Sequence, residues 1–269
     1  MPMASGIHLL ECGTFGRRPG LTKTVVVPAQ LGHHDRMDAE EPNTEEPAVE
    51  EPKAEELNIP QAFLLLATND QDGEAEVPAY VLRTTLAGAI LAELDQLGAI
   101  GLQGKHVRAT DQAPQTGLQH QWELIRHKSR PHTPKRWVSM LEGRAEVQRV
   151  YEGLTSRGIV EHVGEKHLGL FKSTRYPEKD HAPEASLLTK VQAALKGGPS
   201  DARTTALIAL LEAAGLLVKL FPAADRTRAR ELAKAYWPAR AVTDELRMIR
   251  LAEDEAAMLA DPVRARHPG

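Results

Sequence analysis

The chain has a single cysteine, Cys12, in 269 residues. One thiol can make neither an internal disulfide nor a cysteine-rich zinc site, and the chain is expected inside the cell. Aromatic residues are scarce, at 4%, which leaves Leu, Ala, Val and Ile to fill the core. That composition favours helices over a sandwich or barrel, whose strands draw on β-branched and aromatic side chains. No segment approaches the ~20 apolar residues of a membrane span. The N-terminus has no sustained apolar stretch either, because Ile7-His8-Leu9-Leu10 runs straight into Glu11. Any membrane contact is therefore expected to be peripheral. The common catalytic signatures are also missing: there is no Walker loop, GxGxxG, HExxH, GxSxG or EF-hand loop.

What is present begins with an uneven charge distribution. Residues 1–56 carry five Lys/Arg and eleven Asp/Glu, a net of −6. Of the totals of 33 and 37, this leaves 28 basic and 26 acidic residues in 57–269, a net of +2. A body so close to neutral is not expected to bind nucleic acid. The segment 35–56 is acidic and punctuated by proline (Glu41-Pro42, Glu46-Pro47, Glu51-Pro52). Its apolar residues are too few to offset the entropy of ordering, so 1–56 is expected to be a disordered tail. Met37 offers a second start beside Met1, and both readings stay open.

Order is expected from Leu57, with Pro60 in the first turn of a helix that runs through Phe63-Leu64-Leu65-Leu66. Asn69 to Gly73 is a turn cluster. Leu86, Ile90, Leu94 and Leu97 follow helical spacing over 80–97, Ala87-Gly88-Ala89 would let a neighbour approach closely, and Gly98 suits the end. Ile100-Gly101-Leu102 and His106-Val107-Arg108 suggest a hairpin, and helices are expected near 119–128, 134–142 and 145–157. A second hairpin is expected in 158–177, with Ile159-Val160 as one arm, a turn at Val163-Gly164-Glu165-Lys166 and a return arm at His167–Phe171. Leu187 to Leu195 reads as a helix. Asp201 caps another over 202–220 that is apolar on most faces and so central to the core. Amphipathic helices near 225–236 and 241–259 follow.

Candidate chemistry is sparse. His127 and His132, like His162 and His167, are five apart, which does not stack two ligands on one helix face. Surface histidine is the default, and no metal or cofactor is expected. Glu93 and Asp95 lie two apart on a helix, Asp70 and Asp72 in a turn, and both pairs are expected to be solvated. The run from Arg126 to Arg136 carries five Lys/Arg and no acid. It is either a patch for anionic lipid or phosphate, or a solvated loop. Arg144 precedes the helix near 145–157 and Arg149 lies within it; a guanidinium fork and backbone donors together suit phosphate oxygens, and the other reading is two ordinary surface arginines.

Five segments in order carry a family resemblance. They are Leu57 to Leu66, Leu86 to Leu94, Arg136-Trp137-Val138, Gly158 to Pro177 with its Gly-Leu-Phe-x-x-Thr-Arg-Tyr-Pro run, and Asp201 to Leu217. Together they resemble the Golgi phosphoprotein 3 family in its bacterial branch. The resemblance implies a mainly α, single helical domain over 57–269, with a buried helical core, surrounding amphipathic helices and one or two short β-hairpins. It also implies a projecting hairpin used in self-association, here through Leu168, Leu170 and Phe171. Eukaryotic members bind phosphatidylinositol 4-phosphate on the cytosolic Golgi face and retain glycosyltransferases, with a headgroup site of one Trp and three Arg. Those positions fall at Pro78, Ala87, Arg144 and Val147, so Arg144 alone matches. The Ala-, Arg- and Pro-rich character suggests a high-GC bacterium, so the Golgi location is not carried over.

The resulting expectation is a cytoplasmic, non-catalytic domain, peripheral on the inner face of the membrane. It would meet anionic phospholipid headgroups weakly through Arg144, Arg149 and Arg83. Two other readings stand beside it: a protein-interaction adaptor without a lipid site, and an enzyme with an unrecognised site.

Overall fold

The computed structural model describes residues 57–167 and 171–260. The tail 1–56, the alternative start at Met37, and Leu168 and Leu170 lie outside them. The described part is mainly helical, with two small antiparallel two-stranded sheets.

Helix α1 spans Ile59–Leu66 and starts with a reciprocal cap, in which Asn58 Oδ1 accepts from Gln61 N and Gln61 Oε1 accepts from Asn58 N. Helix α2 spans Ala79–Gln96, is buried over nearly its whole circumference, and ends before Gly98, whose φ of 67° is the left-handed turn a β-carbon disfavours. Strands β1 (Ile100–Gln103) and β2 (His106–Ala109) form the first hairpin, with Ile100 opposite Ala109. Helices α3 (Gln119–Arg126), α4 (Pro134–Leu141) and α5 (Arg144–Ser156) follow. After the second hairpin come α6 (Ala182–Leu195), α7 (Ala202–Ala213), α8 (Leu217–Leu220), α9 (Thr227–Ala235) and α10 (Trp237–Ala260).

Helix α2 is the hub, packing against α1, α4, α5, α7 and α10. Phe63, Leu64, Leu86, Ile90, Leu91, Leu94, Trp137 and Ile208 are essentially solvent-free around it. Gly88 is where α10 comes closest: a β-carbon there would lie 2.2 Å from Val242 Cγ2. The small residues of Ala87-Gly88-Ala89 thus set how tightly the last helix can seat.

Three expectations need correction. The second hairpin pairs β3 (Val163–His167) with β4 (Phe171–Arg175), in a register that runs from Val163 opposite Arg175 to His167 opposite Phe171. Val163 to Lys166 is therefore strand, not turn. Gly164 lies within the β3–β4 ladder opposite Thr174 and is not among the positive-φ glycines. Ile159 and Val160 are not an arm; they are buried, and Val160 forms an isolated bridge with Glu178. The helix expected over 202–220 is two helices, because Gly215 takes a φ of 73° between α7 and α8. Glu93 is not solvated: it is 1% exposed.

The base of the second hairpin is fixed to the body. Tyr176 stacks on Tyr151, with ring centroids 3.8 Å apart and planes 4° off parallel. Tyr151 Oη shares a hydrogen bond of 2.7 Å with Thr68 Oγ1, and burial pushes the Tyr151 phenol up to about 12. The turn at Gly73, with φ of 69°, lies so close to the Tyr176–Pro177 backbone that any β-carbon there would collide.

Candidate functional site

The three arginines of interest sit on two elements that a hydrogen bond holds together. Thr84 Oγ1, on α2, donates to Glu142 Oε2 at 2.7 Å, in the link between α4 and α5. Arg83 is next to Thr84 and half-buried. Arg144 follows Glu142 by two residues and is the first residue of α5, exposed. Gly143, the residue before it, is extended and offers no side-chain cap, so the first backbone N–H groups of α5 keep their donor capacity.

Arg149, one turn further on, is already engaged: its Nη1 donates to Glu146 Oε1 at 2.7 Å. Glu146 also accepts from Gln121 Nε2 at 2.6 Å, which ties α3 to the start of α5. The start of α5 thus carries Arg144, Arg149 and Glu146, with Glu142 just before it. The carboxylates dilute its attraction for an anion.

The other three positions that the resemblance points to offer no cation. Pro78 is exposed at the start of α2, Ala87 is buried within α2, and Val147 packs partly buried against the core. The basic run is placed elsewhere. Arg126, Lys128, Arg130, Lys135 and Arg136 are exposed, and Arg126 lies over the Trp122 ring at 4.9 Å. The loop is pinned by Val107 N donating to His132 O at 2.9 Å and by the His132–Trp137 edge contact. Arg126, Lys128 and Arg130 precede α4, Lys135 and Arg136 lie in its first turn, and Arg144 follows it.

Of the hairpin residues, Leu168 and Leu170 lie outside the described residues. Phe171 is placed only as a backbone partner of His167. Val163, at the root of the hairpin, is 36% exposed.

Two arrangements had no signal in the sequence because their parts are far apart in the chain. Glu93 accepts from Ile59 N at 2.8 Å and from Arg203 Nη2 with both oxygens. It joins the start of α1 to α7. Asp70, Glu178 and His181 bring one ligand atom each within 4.8 Å of one another. A divalent cation can use such a set, and within it His181 Nδ1 directly contacts Glu178 Oε2. A small recess of about 90 Å³, lined by Leu57, Ile59, Leu187, Leu207, Lys190 and Arg203, opens between α1, α6 and α7. It is well below the ~300 Å³ at which pockets begin to hold a small organic substrate. Among the described residues, no helix is long and apolar enough to cross a membrane.

A family model described as Golgi phosphoprotein 3 (GPP34) matches residues 59–249. The chain belongs to the Golgi phosphoprotein 3 family. The match runs from the first residue of α1 into the middle of α10, so the Golgi phosphoprotein 3 domain takes in the whole α2-centred core and the Arg144 cluster. Among curated proteins, none matches the chain.

Proposed function

We propose that this Golgi phosphoprotein 3 domain is a non-catalytic, peripheral module that meets anionic phospholipid headgroups weakly and without selectivity for phosphatidylinositol 4-phosphate. The supporting observation is Arg144: exposed, at an uncapped helix start, and the one family headgroup position that carries its cation. Arg83 and Arg149 are its neighbours in this reading, and the site works from the cytoplasmic side, on the inner face of the membrane. Residues 57–269 form the working domain and 1–56 its acidic tail. The β3–β4 hairpin supplies contacts to a second copy.

Each Lys or Arg near an anionic surface contributes roughly 1 kcal/mol. Binding is then expected to follow total anionic lipid and to fade as salt rises. Vesicle flotation tests this with neutral vesicles, phosphatidylserine vesicles and vesicles doped with the phosphoinositide. A salt-resistant preference for the phosphoinositide refutes the selectivity claim. Failure to float with any anionic vesicle refutes lipid binding itself.

A second reading has its own support. Arg149 is paired with Glu146, so a phosphate there must compete with a fixed carboxylate. This favours an adaptor that binds protein and has no lipid site. Pull-down from the native cell with wild type and Arg144→Ala separates the two, because an adaptor of this kind keeps its partner in the variant.

A further inference from the structure

The basic run between α3 and α4 is larger in space than in sequence. Val107 of β2 bridges His132 in the antiparallel sense, and β2 packs against both α3 and α4. That sense runs Arg108 toward Arg130. It runs Lys105, in the turn of the first hairpin, toward the first turn of α4, where Lys135 and Arg136 lie. Val107 is buried, whereas His106 and Arg108 on either side of it are exposed, as alternation along a strand requires. Lys105 is exposed as well, so the hairpin adds two cations to the five of the run. The loop that bears the run is fixed at His132 by the bridge and by the edge contact with Trp137.

Segment 101–140 carries seven Lys/Arg against two Asp/Glu, Asp111 and Glu123, a net of +5. The rest of 57–269 holds 21 basic and 24 acidic residues, a net of −3. The small overall charge of the body therefore hides one cationic surface. Among the described residues none of the seven cations enters an ion pair, so their charge is not spent on the fold. Three large apolar side chains of the same segment are also exposed, Leu102 at 38%, Leu124 at 44% and Met140 at 36%. Met140 lies one turn beyond Arg136 on α4. Apolar side chains amid Lys and Arg suit the boundary between lipid headgroups and acyl chains. Single-stranded nucleic acid is held by stacking of its bases on aromatic rings. The Trp, Tyr and Phe content of 101–140 is Trp122 and Trp137, both buried.

We propose that this surface, built from the β1–β2 hairpin and the α3–α4 link, is a contact face for an anionic phospholipid membrane, in addition to Arg144. The inference rests on the reading of the domain as a peripheral module at an anionic membrane, but not on Arg144 touching that membrane. Each Lys or Arg held near such a surface is worth about fivefold in partitioning.

Co-sedimentation of the full chain with vesicles tests the proposal, with phosphatidylcholine alone and with phosphatidylcholine plus phosphatidylserine. Lys128→Glu, Arg130→Glu and Lys135→Glu in one chain are expected to weaken binding to the serine-lipid vesicles at least about tenfold. The circular dichroism spectrum is expected to stay unchanged, because all three positions are exposed. Arg228→Glu, Lys234→Glu and Arg240→Glu make the same change of net charge at exposed positions of α9 and α10. That control is expected to weaken binding by less than about threefold, since screening confines the effect to charges near the lipid. In a Cys12→Ser background, an environment-sensitive dye on Ser129→Cys is expected to shift to the blue with serine-lipid vesicles, and the same dye on Ala235→Cys is not. If wild type binds these vesicles and the Lys128, Arg130, Lys135 variant binds them equally, or the control loses as much, this face is not the contact and the Arg144 reading stands without it. Absence of wild-type binding to serine-lipid vesicles overturns the peripheral reading and this inference together. Binding of an RNA oligonucleotide that is tighter than vesicle binding and lost in the same variant overturns the proposal in favour of nucleic acid.

Discussion

The core around α2 and the rim around Arg144 use charge in opposite ways. In the core Glu93 is 1% exposed, yet both its oxygens are occupied, by Arg203 and by the first N–H of α1. Its charge is spent on position. At the rim Arg144 is exposed at a helix start that nothing caps, so its charge and the adjacent backbone donors remain open to an outside anion. The comparison teaches that a charge buried in this fold is held by fixed partners, whereas an exposed one without a partner can meet an outside ion.

The largest effect is expected where a buried charge loses its partner. Arg203→Ala leaves Glu93 uncompensated and is expected to cost about 3–5 kcal/mol, read as a lower urea midpoint. If Arg203→Ala costs under about 1 kcal/mol, the core carboxylate is not held as described. Next comes packing: Gly88→Ala pushes a methyl to within 2.2 Å of Val242 Cγ2. It is expected to cost about 1–3 kcal/mol, and Val242→Ala in the same chain should recover part of it.

Asp201 is intermediate, a charge at the surface that still serves structure. It accepts from Thr204 N at 2.6 Å at the start of α7, and that backbone hydrogen bond holds its carboxyl below the ordinary value of 3.8. Asp201→Ala is expected to cost about 1 kcal/mol. Because the folded value is the lower one, this contribution is complete above the unfolded range and is lost as pH falls through the folded value. Asp201→Asn keeps a cap but should flatten that acid dependence, which thermal melts across pH would show. The smallest change in stability is expected at the rim. Arg144→Ala should leave the melting temperature within about 1 °C, since exposed sites rarely shift stability by more than ~0.5 kcal/mol. In the same variant, anionic vesicle flotation is expected to drop several-fold.

The helices were legible because their apolar spacing and their stops are local. Asp201 caps as its side chain suggests, and Gly98 ends α2 as a glycine there should. The second hairpin was legible as a hairpin but not in its register. A polar stretch with a glycine looks alike in a turn and in an exposed strand, and only the pairing with Phe171–Arg175 distinguishes them. The break at Gly215 was hidden for the related reason that apolar residues continue through it. Arg144 was singled out through the resemblance, and its place at a helix start was legible because that start is local. The Glu93–Arg203 pair could not, because its two halves are 110 residues apart.

That separation bears on how the chain is made. Glu93 emerges from the ribosome long before Arg203, and at 5–20 residues per second the gap lasts roughly 5–20 s. During that interval the carboxylate can cap Ile59 but has no guanidinium beside it, so the α1–α2 pair cannot bury it at native strength. The nascent chain must therefore hold its first two helices in a looser, hydrated pairing until α7 arrives. Synthesis itself imposes an order on assembly, with the hub formed early and sealed late.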